Sequence, residues 1–205
     1  MFNGVTMRRG VSALALALLL CAAAPVWADG FDPARLVTAA HAQAEHTKSY
    51  DGSYRRIAYP NGDVPMETGV CSDVIVRAYR TLGTDLQKKV HEDMKAHFAL
   101  YPKTWGLSKP DTNIDHRRVP NLQVFFTRHG KSLPVSSAPA DYLPGDIVTW
   151  NLAAPARMLP HIGIVSDKRT ADGTRPLIVH NIGQGVQTED ILFAYKITGH
   201  YRYTP

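Results

Sequence analysis

The stretch GVCSDVIVRAYRTLG, residues 69 to 83, predicts a buried helix that begins with a cysteine. Apolar residues recur in it at helical spacing: Ile75, Ala78 and Leu82. Gly83 supplies a stop signal after the last of them. Because Cys71 lies one turn before Ile75, its thiol shares the face that the helix is expected to bury.

The segments on either side of this helix predict more helices and then a sheet. Asp32 is a good N-cap and Pro33 a good first helical residue, so we expect a helix over residues 33–47. Two further helices are expected over residues 86–100 and 121–130. Four later runs are rich in β-branched and aromatic residues: GDIVTW (145–150), HIGIVSD (161–167), PLIVHNI (176–182) and GHYRY (199–203). This order predicts an α+β fold in which N-terminal helices pack on an antiparallel β-sheet.

The N-terminal residues have the pattern of a cleaved secretory signal peptide, residues 1–28. Arg8 and Arg9 form a basic start, and an apolar run follows over residues 11–24. Small residues at 26 and 28 then predict cleavage before Asp29. The apolar run is too short to span a membrane comfortably, and no second one follows. We therefore expect a periplasmic or secreted protein with no integral membrane segment after cleavage.

Composition places the remaining residues, 29–205, in one ordinary globular domain. Hydrophobic residues make up 44% of the chain and charged residues 20%. The formal charge of +5 falls to +3 when Arg8 and Arg9 are removed. Because the excess is small and no basic run is interleaved with aromatic residues, nucleic acid is not an expected partner. We expect a monomer.

Export would leave Cys71 as the only cysteine, because Cys21 lies within the signal peptide. An odd cysteine in an exported protein indicates an intermolecular bridge or a functional thiol. The other interpretation is an inert residue of the core. A catalytic thiol needs a lowered pKa, which a helix N-terminus and a neighbouring histidine can both provide.

Two histidines on successive predicted strands are candidates for that neighbour. His161 opens a strand directly after Pro160, where its side chain is held rigidly. A second polar group must orient the imidazole, and both His180 and Asn181 stand at the end of the next strand. Because adjacent strand residues point to opposite faces, only one of these two can serve. Histidines also occur at strand ends as simple polar boundary residues, but with Cys71 the set favours a cysteine hydrolase.

The pattern resembles the NlpC-type, papain-like cysteine peptidases, which cut peptides of the bacterial cell wall. Four motifs carry the resemblance: CS (71–72), LPGDIVTW (143–150), HIGIV (161–165) and LIVH (177–180). The resemblance implies that Cys71 is the nucleophile, His161 the general base and His180 its orienter. It also implies a thiolate mechanism that needs no cofactor.

Two ancillary residues follow from the same resemblance. Tyr59 stands twelve residues before Cys71, where that family keeps a tyrosine near the oxyanion site. Ser72 follows the nucleophile and belongs to the same helix start, whose backbone N–H groups are expected to contribute to the oxyanion site.

Over nearly the whole predicted mature chain the sequence also resembles a bacterial family catalogued as domain of unknown function number 1287. That family is grouped with the same peptidases. Six motifs carry this resemblance: YPNGDVP (59–65), GVCSDVIVRAYR (69–80), DLQKKVHEDM (85–94), NIDHRRVPNL (113–122), PGDIVTW (144–150) and HIGIVSD with VHNIG (161–167 and 179–183). The resemblance implies a papain-like fold for the mature chain.

Five residues are candidates for substrate binding: Asp73, Asp115, His116, Arg117 and Asn181. Wall peptidases of this type often have Asp before the cysteine, where this chain has Val70. Asp73 could instead read a substrate amine, complement the helix dipole, or hold His116 or an arginine. Arg117 suits a substrate carboxylate, and the alternative is an internal salt-bridge network that holds its loop.

We therefore predict an exported cysteine hydrolase that cleaves peptide or amide bonds of peptidoglycan stem peptides, with the wall peptide as its partner. Two alternatives stay open: a non-catalytic wall-binding module on the same fold, and a cysteine amidase or acyltransferase acting on lipid or protein. No metal is expected, because His91 and His97 are six residues apart and no His-Glu-x-x-His pair is present. Trp105 and Trp150 are expected in the core.

Overall fold

The structure is a computed structural model that describes Met1 and residues 30–205, so the predicted signal peptide lies outside the described residues and the division at residue 28 stays a prediction. The helices are α1 (Pro33–Ala42), α2 (Cys71–Thr81), α3 (Leu86–His97) and α4 (Val119–His129). The strands are β1 (Ser49–Tyr50), β2 (Thr68–Gly69), β3 (Lys131–Ser132), β4 (Ile147–Asn151), β5 (Pro160–Arg169), β6 (Pro176–Asn181), β7 (Val186–Glu189) and β8 (Lys196–Arg202).

Local capping signals set the helix ends. Oδ1 of Asp32 accepts the backbone N–H of Ala34 at 2.9 Å at the start of α1, and Oδ1 of Asp85 accepts that of Gln87 at 3.0 Å at the start of α3. Gly83 has φ +85°, a left-handed conformation that terminates α2. α1 is shorter than predicted, because its last turn tightens into a 3₁₀ turn over Gln43–Glu45.

The main sheet has six strands in the order β3-β8-β4-β5-β6-β7, and every neighbouring pair is antiparallel. The four predicted strands form its centre as β8, β4, β5 and β6. The unpredicted strands β3 and β7 lie at its edges. β1 and β2 form a separate parallel pair, in which Tyr50 lies opposite Gly69. The predicted α+β fold, with Cys71 at a helix start packed on an antiparallel sheet, is confirmed.

Apolar side chains cover both faces of the sheet. On one face Ile162, Ile164 and Val179 pack with the helices, and α2 is buried on all sides from Cys71 to Tyr79. The other face carries Trp150 and is covered by side chains such as Tyr142 and Leu192 from connecting segments. None of the helices in the described part of the chain has the length and apolar character that a membrane crossing requires.

Candidate active site

Cys71 is the first residue of α2, and its thiol is 4% exposed. The first N–H groups of a helix have no partners within the helix. Here the N–H groups of Ser72 and of Cys71 itself interact with the sulfur and lower its pKa. The backbone N–H of Ile162 in β5 acts on it as well. Because the β5–β6 ladder pairs Ile164 with Val179, the sulfur meets β5 at the end where the two strands separate.

The resting thiol of Cys71 is neutral. Burial raises the pKa of Cys71 to about 12, and the carboxylate of Asp73 acts in the same direction. The N–H groups of Ile162 and of the helix start oppose this shift, because they stabilise the thiolate. The sulfur therefore holds its proton at neutral pH.

His161, His180 and Glu189 form a line of hydrogen bonds at the end of β5 and β6 that carries the two histidines. Nε2 of His161 lies 2.9 Å from Nδ1 of His180, and Nε2 of His180 lies 2.9 Å from Oε2 of Glu189. The two imidazoles are buried, and the ring of Trp150 packs against His161. Burial, and then the neighbouring His180, lowers the pKa of His161 to about 3, so this imidazole is neutral at neutral pH.

His180 rather than Asn181 contacts His161. Asn181 points to the opposite face of β6, where its Nδ2 donates to the backbone carbonyls of Gly69 at 3.0 Å and Ser49 at 3.2 Å. Those carbonyls belong to β1 and β2. Asn181 therefore joins the β1–β2 pair to the end of β6. Its Nδ2 group donates both of these hydrogen bonds and is not available to a substrate.

Tyr50 occupies the position beside the nucleophile that the sequence assigned to Tyr59. The Tyr50 hydroxyl lies beside the Cys71 sulfur, and its pKa is raised to about 12, first by burial and also by the charge of Asp73. The contacts of Tyr59 are elsewhere, because its half-exposed ring packs edge-on against His91 at 5.1 Å. The β1–β2 pairing brings Tyr50 next to the start of α2, so Tyr50 rather than Tyr59 lies beside Cys71, and the oxyanion role stays a prediction.

Asp73 and Arg117 are joined by two hydrogen bonds of 2.9 Å inside the protein. Asp73 also accepts the N–H of Val70 at 2.6 Å, which caps its own helix. Arg117 further donates to the backbone carbonyls of Ser53 and Asp51. Each charge is therefore neutralised by the other. These contacts are those of the internal salt bridge that was the alternative, and a substrate-binding role of Asp73 and Arg117 stays a prediction.

Ser72 holds the same loop against α2, and Asp115 and His116 are buried in that loop. Asp115 is 1% exposed and accepts from Arg118 at 3.1 Å. His116 is 3% exposed, and burial, followed by the charge of Arg117, lowers its pKa to about 3. Ser72 Oγ donates to the carbonyl of Arg117 at 2.6 Å. These contacts do not support substrate binding by Asp115 or His116, and Ser72 contributes its backbone N–H to the site.

A cleft of about 840 Å³ opens over Cys71. Its lining residues are Tyr50, Gly52, Val70, Cys71, Pro102, Thr104, Trp105, Ile114, Arg117, Arg118, Val119, Pro120, Gln123, Met158 and Pro160. The guanidinium of Arg118 lies 4.1 Å from the centre of the Trp105 ring, which is 37% exposed. Trp105 is therefore a cleft residue and not a core residue as expected, whereas Trp150 is in the core.

The structure adds Tyr50, Glu189 and Trp105 to the candidate site, none of which the sequence assigned to it, and it places Arg118 in the cleft. One of them had a usable signal. If NIGQG is taken as the turn of a hairpin, period-two alternation places Glu189 on the same face of the sheet as His180. Among residues 30–205, no group of three or more His, Cys, Asp or Glu side chains is arranged to hold a metal ion.

Comparisons with known proteins match the same part of the chain. The model of the family described as "Domain of unknown function (DUF1287)" matches residues 37–203. The Escherichia coli (strain K12) "Uncharacterized protein YijF" is 56% identical over 164 residues, which are 80% of this chain and 78% of that protein. Similar solved structures are NlpC1 and NlpC2 from Trichomonas vaginalis, with 16% identity each and TM-scores of 0.47 and 0.44. These likenesses cover 83% and 88% of this chain but only 44% and 50% of those proteins.

Proposed function

Since the chain belongs to the DUF1287 family, whose description states no activity, we propose its function from the site: an exported cysteine hydrolase that cleaves peptide or amide bonds of peptidoglycan stem peptides. One observation carries the proposal. The thiol of Cys71 lies at a helix start on the floor of a cleft, against the strand that carries His161. Export is part of the proposal, because residues 1–28 read as a signal peptide.

The first chemical step transfers one proton and forms one bond. The Cys71 sulfur attacks the substrate carbonyl carbon while its proton passes to Nδ1 of His161. Because both groups are neutral at rest, deprotonation accompanies the attack, and no thiolate–imidazolium pair is formed beforehand. His161 then gives the proton to the leaving amine, the C–N bond breaks, and a thioester remains on Cys71.

The second step returns the enzyme to its starting state. His161 accepts a proton from water, whose oxygen attacks the thioester carbonyl. The C–S bond then breaks, His161 returns its proton to the sulfur, and the carboxylic acid product releases its remaining proton to solvent. In both steps negative charge develops on the carbonyl oxygen. The N–H groups at the start of α2 and the Tyr50 hydroxyl lie around the sulfur and are the donors that stabilise that charge.

The composition of the cleft supports a peptide substrate that carries carboxylates. Among the described residues, its lining includes Arg117 and Arg118 but no acidic side chain. Arg117 makes two hydrogen bonds with Asp73, whereas Arg118 makes one with Asp115 and stacks on Trp105, so the rest of the Arg118 guanidinium is proposed to bind a substrate anion. Apolar lining residues, such as Met158, suit the small apolar side chains of a stem peptide.

A non-catalytic wall-binding module is the second candidate. The observation that favours it is the burial of Cys71, whose pKa of about 12 leaves little thiolate at neutral pH. In that case the cleft would hold a wall peptide without cleaving it, and Cys71 would stay unreactive towards thiol reagents.

Digestion of purified sacculi with the mature protein tests the proposal. The soluble products are identified by mass spectrometry, and we expect new free peptide ends that are absent with Cys71→Ala. Release of whole stems would instead identify an amidase. Sacculi bound but unchanged by both proteins would support the binding module, and equal activity of Cys71→Ala would refute the nucleophile.

Two controls make the comparison specific. Cys71→Ser keeps the shape of the site and should fold, while losing turnover because a serine hydroxyl is a much weaker nucleophile in this setting. Arg55→Ala changes an exposed residue whose ion pair with Asp51 lies at the surface, and it should leave turnover unchanged.

A further inference from the structure

Glu189 lies at the end of the hydrogen-bond line that begins at His161. It stands in the edge strand β7, and its side chain is 46% exposed, whereas that of His180 is completely buried. The carboxylate meets Nε2 of His180 at 2.9 Å, and Nδ1 of His180 meets Nε2 of His161 at 2.9 Å. Each histidine thus turns its Nε2 towards the next group in the line, and His180 meets His161 with its Nδ1, so the hydrogen-bond pattern determines where the protons lie.

An ionised carboxylate can only accept a hydrogen bond, so Nε2 of His180 must carry the proton. A neutral His180 then has a bare Nδ1, which must accept from Nε2–H of His161. In turn, Nδ1 of His161 is left with a free lone pair. The reverse arrangement would bring the carboxylate and a bare Nε2 together as two acceptors, 2.9 Å apart, which is repulsive.

A doubly protonated His180 would break this order, because it would donate to His161 from Nδ1 and force the proton of a neutral His161 onto its own Nδ1. Burial opposes that state by lowering the pKa of His180, although the charge of Glu189 acts in the other direction. The neighbouring carboxylate, Asp190, is bound to Arg175 and does not compete for His180. His180 and Glu189 therefore form an isolated pair on this side of the sheet.

We propose that Glu189 is a positioning residue that holds His180 and His161 in their Nε2–H tautomers, so that Nδ1 of His161 is free to take the proton of Cys71. The tautomers depend only on the geometry of the three side chains. Their consequence for turnover rests on the proposed hydrolase function. Glu189 touches neither the thiol nor the substrate cleft, and it acts only through His180.

Long-range ¹H–¹⁵N correlation spectra of the ¹⁵N-histidine-labelled protein at neutral pH test the tautomers directly. We expect Nε2–H signals for both histidines in the wild type. Glu189→Gln should keep them, because its amide oxygen can still accept from His180. Glu189→Leu removes the acceptor and should give mixed Nδ1–H and Nε2–H signals. Asp190→Asn, which removes a charge one residue away, should leave both tautomers unchanged.

Unaltered tautomers in Glu189→Leu would overturn the inference, as would an Nδ1–H tautomer of His180 in the wild type. With an active enzyme, Glu189→Leu should lower kcat by about 10- to 100-fold at nearly constant KM, because the orienting His180 itself remains. Glu189→Gln should recover most of that loss. If the protein cleaves no wall peptide, the spectra still decide the tautomers, so failure of this inference and failure of the proposed function are separate results.

Discussion

The carboxylate of Asp73 and the guanidinium of Arg117 face each other through two hydrogen bonds of 2.9 Å, with side-chain exposures of 5% and 3%. This pair joins the first turn of α2 to the loop that precedes α4. It fixes the helix start that carries the thiol, and it removes the only acidic side chain of that turn from contact with substrate.

Arg117→Ala should therefore destabilise the protein strongly. Removing one partner of a buried pair leaves the other charge without compensation, at a cost of about 3–5 kcal/mol in the free energy of unfolding. Urea denaturation monitored by circular dichroism measures this. Arg55→Ala is the matched control, since it breaks an exposed pair with Asp51 and should cost about 1 kcal/mol or less. Equal losses in the two variants would contradict the buried role of Arg117.

Elements that depend on local signals could be predicted from the sequence, whereas contacts between residues distant in the chain could not. α2 was predictable because its apolar spacing and the stop at Gly83 are local signals. The central strands were predictable from their β-branched composition. The pairing of β1 with β2 was not, because two-residue strands carry no periodicity and their contact depends on residues distant in the chain. The same is true of the choice of Arg117 by Asp73.

Gly163 gives β5 and β6 room to approach each other. A Cβ at this position would lie 2.5 Å from Cγ2 of Ile178 and 3.3 Å from Cβ of His180. Gly163→Ala should therefore lower the free energy of unfolding by about 1–3 kcal/mol, because a β-branched side chain cannot move aside freely. Thermal unfolding provides the measurement. Gly183→Ala, with no atom within 4 Å of its Cβ, should change little, and a similar effect at both positions would argue against this packing.

Buried neutral histidines should make the protein sensitive to mild acid. The pKa of His116 is lowered to about 3 by burial and the charge of Arg117, against about 6.5 in an unfolded chain. Below pH 6.5 the unfolded state binds a proton that the folded state does not, so stability is present above that pH and falls as the pH drops towards 3. The slope is up to about 1.4 kcal/mol per pH unit for each such histidine.

His116→Gln should thus flatten the decrease in stability between pH 7 and pH 5, as urea denaturation at several pH values would measure. His161, whose pKa is lowered in the same way, continues to contribute in this variant. His46→Gln replaces an exposed histidine and should leave the pH dependence as it is in the wild type. Identical pH profiles of His116→Gln and the wild type would show that His116 does not stay neutral in the folded state.

The candidate site could be predicted in part, because cysteine and histidine are residue types with distinctive chemistry. A lone cysteine at a helix start and histidines opening and ending strands were visible in the sequence. The structure was needed to choose His180 over Asn181, since that choice depends on which face of β6 each side chain occupies. Polar residues of the 113–122 loop looked like substrate ligands because a sequence does not show whether an arginine already has a partner.

Tyr50 and Tyr59 give the sharpest test of how the site is assembled. Tyr50→Phe removes the hydroxyl beside Cys71 and keeps the ring, so the fold should be retained. If this hydroxyl stabilises the developing oxyanion, kcat on wall peptides should fall by about 10²- to 10³-fold. Tyr59→Phe makes the same chemical change on a ring that packs against His91, and it should leave kcat unaltered. A loss confined to Tyr59→Phe would restore the assignment made from the sequence, and full activity of both variants would leave the N–H groups at the start of α2 as the oxyanion donors.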